Sequence, residues 1–207
     1  MKGLLLKDLY MIMKHFKMYL LIDVIFIAVA FFSDENMMFL VVPMMLASVI
    51  PITLLAYDER SHWTEYCGSL PYGRAQIVSA KYLIGLLMEA ATALVVFAAL
   101  LIKDRSGAVD QIFGAVFVMF VISLMFPTFC LPFSLKFGTE KGRLIYYVVI
   151  AAAAGIIALT ANRVDDITFL LNANTHLLPL LYLGMPVLYA LSWLLSIILY
   201  NNKEVGK

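Results

Sequence analysis

Charge is scarce in this chain. Asp, Glu, Lys and Arg make up 14% of its 207 residues, where soluble domains carry about 25%. Hydrophobic residues make up 63%, and mean hydropathy is +0.93. A chain this short cannot bury so much apolar surface in an aqueous core, which excludes a soluble globular fold. Cysteine is nearly missing. Cys67 and Cys130 lie in unlike settings and form neither a disulfide framework nor a metal-binding spacing. His15, His62 and His176 are far apart, and no HExxH motif is present, so a histidine metal site is not expected. There is no GxxxxGKS or GxxxxGKT loop for nucleotide phosphates and no GxSxG elbow for a nucleophile. No basic tail points to nucleic acid. The N-terminal apolar stretch is broken by Lys7, Asp8 and Lys14, unlike a signal peptide.

What the chain does have is long apolar runs. Inside lipid the backbone must satisfy its own hydrogen bonds, so such runs read as helices. The expected fold is all-α and polytopic, one transmembrane domain over residues 1–207. Six spans are expected at about 18–32, 37–56, 82–102, 111–133, 144–161 and 176–200. Residues 1–17 read as an amphipathic interfacial helix, with Leu5, Leu9, Ile12 and Phe16 on one face and Lys2, Lys7 and Lys14 for the headgroups.

Lys and Arg set the orientation. Twelve of the fifteen fall on one side of this layout; only Lys103, Arg105 and Arg163 fall on the other. Basic residues favour the cytoplasmic face, so both termini and residues 57–81 are expected there. Two carboxylates fall within expected spans, Asp23 and Glu89. An ionisable group at that depth is costly and faces protein, water or a pathway. Both are candidates for a pathway or gating role, with a structural helix contact as the alternative. The pair Asp165–Asp166 sits on an expected outer loop, where a solvated loop or weak cation contact would account for it.

The longest polar stretch is YDERSHWTEYCGSLPYGRAQIVSAKY, Tyr57–Tyr82. Ser61–Gly68 alternates polar and aromatic residues and can form a short surface helix, which Pro71 ends. Arg74–Lys81 then opens a helix that leads into the third span. A short helix clamped between two spans is either a mechanical handle for a cytosolic partner or an ordinary interfacial loop with aromatic anchors.

This stretch resembles the intracellular loop of ABC-2 type permease subunits of bacterial ABC transporters. The resemblance is carried by Asp58–Glu59, Trp63–Tyr66, Ser69–Leu70–Pro71, Arg74 and Lys81–Tyr82. LPFSLKFGTEKGR, Leu131–Arg143, resembles the loop after the fourth span in the small six-span branch typical of Firmicutes. The resemblance implies a type V exporter-like permease fold with an N-terminal elbow helix and a cytoplasmic coupling helix. It implies a bacterial cytoplasmic membrane location and no catalytic residue or cofactor in this chain. ATP and Mg would belong to a separate cytosolic ATPase, present in two copies. A second permease subunit, identical or paralogous, would complete the pathway within the membrane lipid. The residues implied in coupling are Asp58, Glu59, Trp63, Glu65, Tyr66, Leu70, Pro71 and Arg74. Export of amphipathic or hydrophobic peptides is the expected activity, with lipids or drug-like compounds as further substrates. Two other classes stay open: an ion- or proton-coupled carrier using Asp23 or Glu89, and a non-transporting immunity or sensory subunit.

Overall fold

The computed structural model describes residues 2–15, 17–32, 36–67, 73–103, 109–144, 147–148, 151 and 177–201. They form α1 (Lys2–His15), α2 (Lys17–Phe32), α3 (Asn36–Arg60), α4 (Trp63–Cys67), α5 (Arg74–Lys103), α6 (Val109–Phe137) and α7 (Leu177–Asn201). There is no strand among the described residues. Four helical segments are long and apolar enough to cross a bilayer: Phe39–Arg60, Arg74–Lys103, Val109–Phe137 and Gly184–Asn201. The 16-residue α2 reaches only about 24 Å at 1.5 Å per residue, short of a hydrocarbon core of about 30 Å. The expected fifth span lies almost wholly outside the described residues, so four of the six expected spans have a membrane-length helix among the described residues.

The helices outrun the apolar runs that mark them. α3 continues through the polar residues 57–60, and α5 begins eight residues before Tyr82. Polarity is sorted in reverse of a soluble protein. Asp8, Ser48, Asp58, Lys81, Glu89, Ser123 and Ser196 are buried. Large apolar side chains such as Leu94, Leu194 and Ile198 are exposed, the pattern expected of helices facing lipid.

Packing between helices rests on close approach and on freed carbonyls. A Cβ on Gly85 would stand 3.0 Å from Pro51 Cγ, so this glycine lets α5 sit tight against the proline of α3. Pro132 in α6 has no N–H to offer the Thr128 carbonyl one turn earlier. Ser192 of α7 donates its hydroxyl to that carbonyl at 2.6 Å. The proline thus leaves an acceptor and the neighbouring helix fills it, along the most extensive helix–helix interface among the described residues. The α5–α7 seam adds Tyr82, whose hydroxyl lies 2.8 Å from Ser192 Oγ and 2.7 Å from Ser196 Oγ. Trp193 stacks on the Tyr82 ring and donates to Ser79 Oγ at 2.9 Å.

α1 lies against the bundle differently from its sequence expectation. The face on the protein is Leu4, Asp8 and Ile12, spaced by four. Leu9, placed on that face by periodicity, is 40% exposed, and it joins Leu6, Tyr10 and Met13 on a second, outward apolar stripe. Two apolar faces on one helix fit a segment held between protein and lipid. Phe16 lies outside the described residues.

Candidate functional site

The turn after α3 shapes the site. Ser61 N–H donates to Tyr57 O at 3.0 Å and His62 N–H to Glu59 O at 3.2 Å. His62 then takes a left-handed conformation, φ 53°, which stops the helix and reverses the chain. α4 starts at once, with Tyr66 N–H donating to His62 O at 3.3 Å. Downstream, Gly73 opens α5. Its carbonyl accepts from Gln76 N–H at 2.9 Å, and its own N–H donates to Gln76 Oε1 at 3.3 Å, one half of a capping box.

α4 is fastened on one side and open on the other. Cys67 is buried with Leu4 of α1 and Ala80 of α5. Trp63 is half-buried, and Lys7 Nζ sits 4.4 Å above its ring centroid, a cation–π contact. Tyr66, 5.5 Å from Trp63 between ring centroids, is 60% exposed. Burial pushes the Cys67 thiol above its ordinary pKa, even though Lys7 and Lys81 pull it down.

Beneath α4 lies a closed ionic quartet. Lys81 Nζ of α5 stands 2.9 Å from each oxygen of Asp8 and 2.6 Å from Asp58 Oδ2. Lys7 Nζ stands 2.6 Å from Asp58 Oδ1 and 3.2 Å from Asp8 Oδ1. Two ammoniums and two carboxylates cancel, which makes burial of Asp8, Asp58 and Lys81 tolerable, with Lys7 partly exposed at the edge. The quartet joins α1, the end of α3 and the start of α5 at one point. Residues 78–82 of α5 are buried in sequence, enclosed on every side there.

Glu59, next to Asp58, reaches the other way. Its Oε2 accepts from Thr139 N–H at 3.0 Å and from Thr139 Oγ1 at 2.6 Å. It thereby caps the helical residues 139–144 that follow Gly138, whose φ of 94° turns the chain out of α6. Arg74 donates to the Asn201 carbonyl at 2.7 Å, tying the start of α5 to the end of α7. The two acids therefore act as ties between helix ends rather than as outward contact surface. Asp58 in particular is 2% exposed and cannot be touched by a partner in this conformation.

Of the other residues singled out from sequence, Trp63 and Tyr66 lie on α4 and Arg74 at the start of α5, whereas Leu70, Pro71 and the Glu65 side chain lie outside what is described. Asp23 and Glu89 are elsewhere, on α2 and deep in α5. Glu89 is fully buried, and neither of its oxygens has a hydrogen-bond partner among the described residues; the same holds for Asp23 Oδ1. Sequence reasoning missed Lys7, Asp8 and Lys81 as a site. The signal was Asp8 itself, an acid spaced four from both Leu4 and Ile12, since a carboxylate on a buried face needs a cation opposite.

No group of metal-ligating side chains occurs among the described residues. No curated protein and no solved structure gives a match. A family model described as an ABC-2 family transporter protein matches residues 3–201, nearly the entire chain. The chain therefore belongs to the ABC-2 family of transporter proteins, as one of its non-catalytic membrane permease subunits.

Proposed function

We propose that this permease is the membrane half of an ATP-driven exporter and that α4 is where a cytosolic ATPase grips it. The observation that carries this reading is the fastening of α4: Tyr66 displayed outward, Trp63 and Cys67 anchored inward, and the ionic quartet immediately behind. A push on Tyr66 is passed on through engaged side chains among the described residues. It reaches α1 through Trp63 and Lys7, α3 through Asp58, and α5 through Lys81. From there Arg74 and Tyr82 carry it to α7. ATP and Mg would be bound and used in the ATPase, two copies of which would close on two permease subunits, identical or paralogous. α4 and both termini face the cytoplasm in this reading, with six spans crossing a bacterial cytoplasmic membrane. Amphipathic or hydrophobic peptides are the proposed cargo, in keeping with the apolar outer faces of α5 and α7.

The test is co-expression with the cognate ATPase. The purified pair is expected to hydrolyse ATP with cargo stimulation, and Y66A or W63A is expected to weaken assembly or abolish the stimulation. A stable complex whose stimulated hydrolysis survives charged residues placed at positions 63 and 66 would refute the assignment. The buried carboxylate of Glu89 and the unpaired Asp23 Oδ1 favour one rival, a gradient-driven carrier. That rival requires transport by this chain alone in proteoliposomes, lost in E89Q or D23N.

A further inference from the structure

A cavity of about 330 Å³ opens between α2, α3, α6 and the residues that follow α6. Its polar wall is formed by Tyr19, Tyr57, Arg60, Arg143 and Tyr147. Its apolar wall includes Val49 and Phe126. The volume is within the usual range for small-molecule sites, about 300–1,000 Å³. No carboxylate lines it among the described residues, and neither guanidinium has a salt-bridge partner among them. Arg143 is half-buried, so its charge is not simply spread into water. The His15 ring stacks on Tyr57 at 5.1 Å between centroids, which fixes one wall from α1.

Two guanidiniums from distant parts of the chain facing one cavity repel each other unless an anion lies between them. Guanidinium forks suit a phosphate, which can accept two N–H bonds from each. Depth narrows the choice of phosphate. Arg60 is the last residue of the membrane-length segment Phe39–Arg60, and Arg143 lies six residues beyond α6. Both lie at or past the ends of membrane-length helices, where headgroups are expected, while Val49 and Phe126 lie within such helices. The cavity is cationic at its interfacial end and apolar toward the core, the polarity of an anionic amphiphile. A neighbouring cavity of about 390 Å³ shares Arg60 and Arg143 but also carries Glu59 and Glu140, so the anion-favouring space is the first.

We propose that this cavity holds the phosphate headgroup of an anionic phospholipid from the surrounding leaflet, clamped by Arg60 and Arg143. The site is independent of which partner grips α4. Basic pockets between membrane helices take anionic headgroups in this way.

The experiment is native mass spectrometry of the full chain released from micelles doped with phosphatidylglycerol or with phosphatidylcholine. The wild type is expected to keep phosphatidylglycerol and shed phosphatidylcholine under the same activation. R60Q and R143Q are each expected to weaken retention roughly fivefold, as for about 1 kcal/mol per basic residue at an anionic surface. R143K, which keeps the charge and packs alike, is expected to retain more lipid than R143Q, and K2Q on exposed α1 is expected to match wild type. Excess inorganic phosphate is expected to leave the lipid bound. Equal retention of the two lipids, an unaltered R60Q/R143Q variant, or displacement by inorganic phosphate would each overturn the proposal.

Discussion

Lys81→Met removes one cation from the quartet and keeps most of the side chain's bulk. Three contacts go at once: two at 2.9 Å to Asp8 and one at 2.6 Å to Asp58. The remaining Lys7, 2.6 Å from Asp58 and 3.2 Å from Asp8, must then serve two carboxylates, and a net negative charge stays buried. Stranding a buried ion in this way costs about 3–5 kcal/mol. Lys7 is partly exposed, with 22% of its side chain accessible, so water relieves some of the charge and the lower end applies. About 3 kcal/mol is roughly a 150-fold shift in the equilibrium that holds α1 down. Cys67 reports on that equilibrium because Leu4 of α1 helps to cover it. Its alkylation in micelles, followed by intact mass, is expected to accelerate about a hundredfold in K81M. The electrostatic effect runs the other way, since Lys81 lowers the Cys67 pKa and its loss leaves less thiolate. Acceleration must therefore come from opening. Cys130, buried in α6, is expected to stay unreactive, which separates local undocking from global unfolding. D8N/K81M restores one ammonium to one carboxylate and is expected to recover most of the protection, a coupling of about 2 kcal/mol. Unchanged Cys67 reactivity in K81M would refute the idea that the quartet holds α1 to the bundle.

In the wild type, Cys67 alkylation at about pH 8 is expected to be far slower than in the denatured chain. Burial raises the folded pKa, so the contribution to stability is complete below the ordinary thiol value of about 8.5 and is lost as pH rises through the folded one; equal rates in the two states would contradict it. Tyr82→Phe removes the hydroxyl shared with Ser192 and Ser196 and leaves Ser196 without that bond. Interhelical hydrogen bonds of this kind carry about 0.6–1.7 kcal/mol, so Tm in micelles is expected to fall by roughly 1–7 °C. Gly138→Ala forces a Cβ into φ 94° at a cost of about 1–2 kcal/mol and pulls Thr139 off Glu59. The nearest side-chain atom to that Cβ is Glu59 Oε1 at 3.7 Å, an ordinary contact, so the loss in Tm reports backbone strain and the Thr139–Glu59 bonds, not a clash.

Apolar runs mark the middles of α3, α5, α6 and α7 because a helix crossing a bilayer must be apolar over the hydrocarbon core. They do not locate helix ends, since hydropathy reports contact with lipid and says nothing of a helix that continues past the interface. Residues 57–60 and 74–81 are polar and helical at once. Periodicity also grouped Leu9 with Ile12, whereas the structure buries Ile12 and turns Leu9 outward. In water one apolar stripe means one buried face, whereas α1 has a stripe for protein and a stripe for lipid, and both contain leucine. The acids Asp58 and Glu59 stand out in the sequence, but their partners Lys7, Lys81 and Thr139 are 51, 23 and 80 positions away. Only the arrangement of α1 and residues 138–144 brings them together. Leu70 and Pro71 drew attention through the family resemblance of Ser69–Leu70–Pro71, and they fall outside the described residues.

The placement of charge bears on how a permease without its own energy source can be driven. A handle loosely tethered to its bundle would absorb a push as loop motion. Here the handle is five residues long and both of its inward side chains are engaged. Hydrophobic contact alone would let α1, α3 and α5 slide, because apolar packing in lipid has little directional preference. A quartet of ions at 2.6–3.2 Å does not slide, since small displacements strand charge in a medium that cannot solvate it. Buried ionic contacts of this sort add little net stability, and replacing all four by apolar groups would cost little. What they add is registry between three helix ends. An all-apolar replacement of Lys7, Asp8, Asp58 and Lys81 is therefore expected to fold, assemble and keep its Tm within a few degrees, yet lose the correspondence between motion at Tyr66 and motion at α1. Distances between spin labels at positions 66 and 6, which should change together in the wild type and separately in the quadruple variant, decide between registry and mere stability.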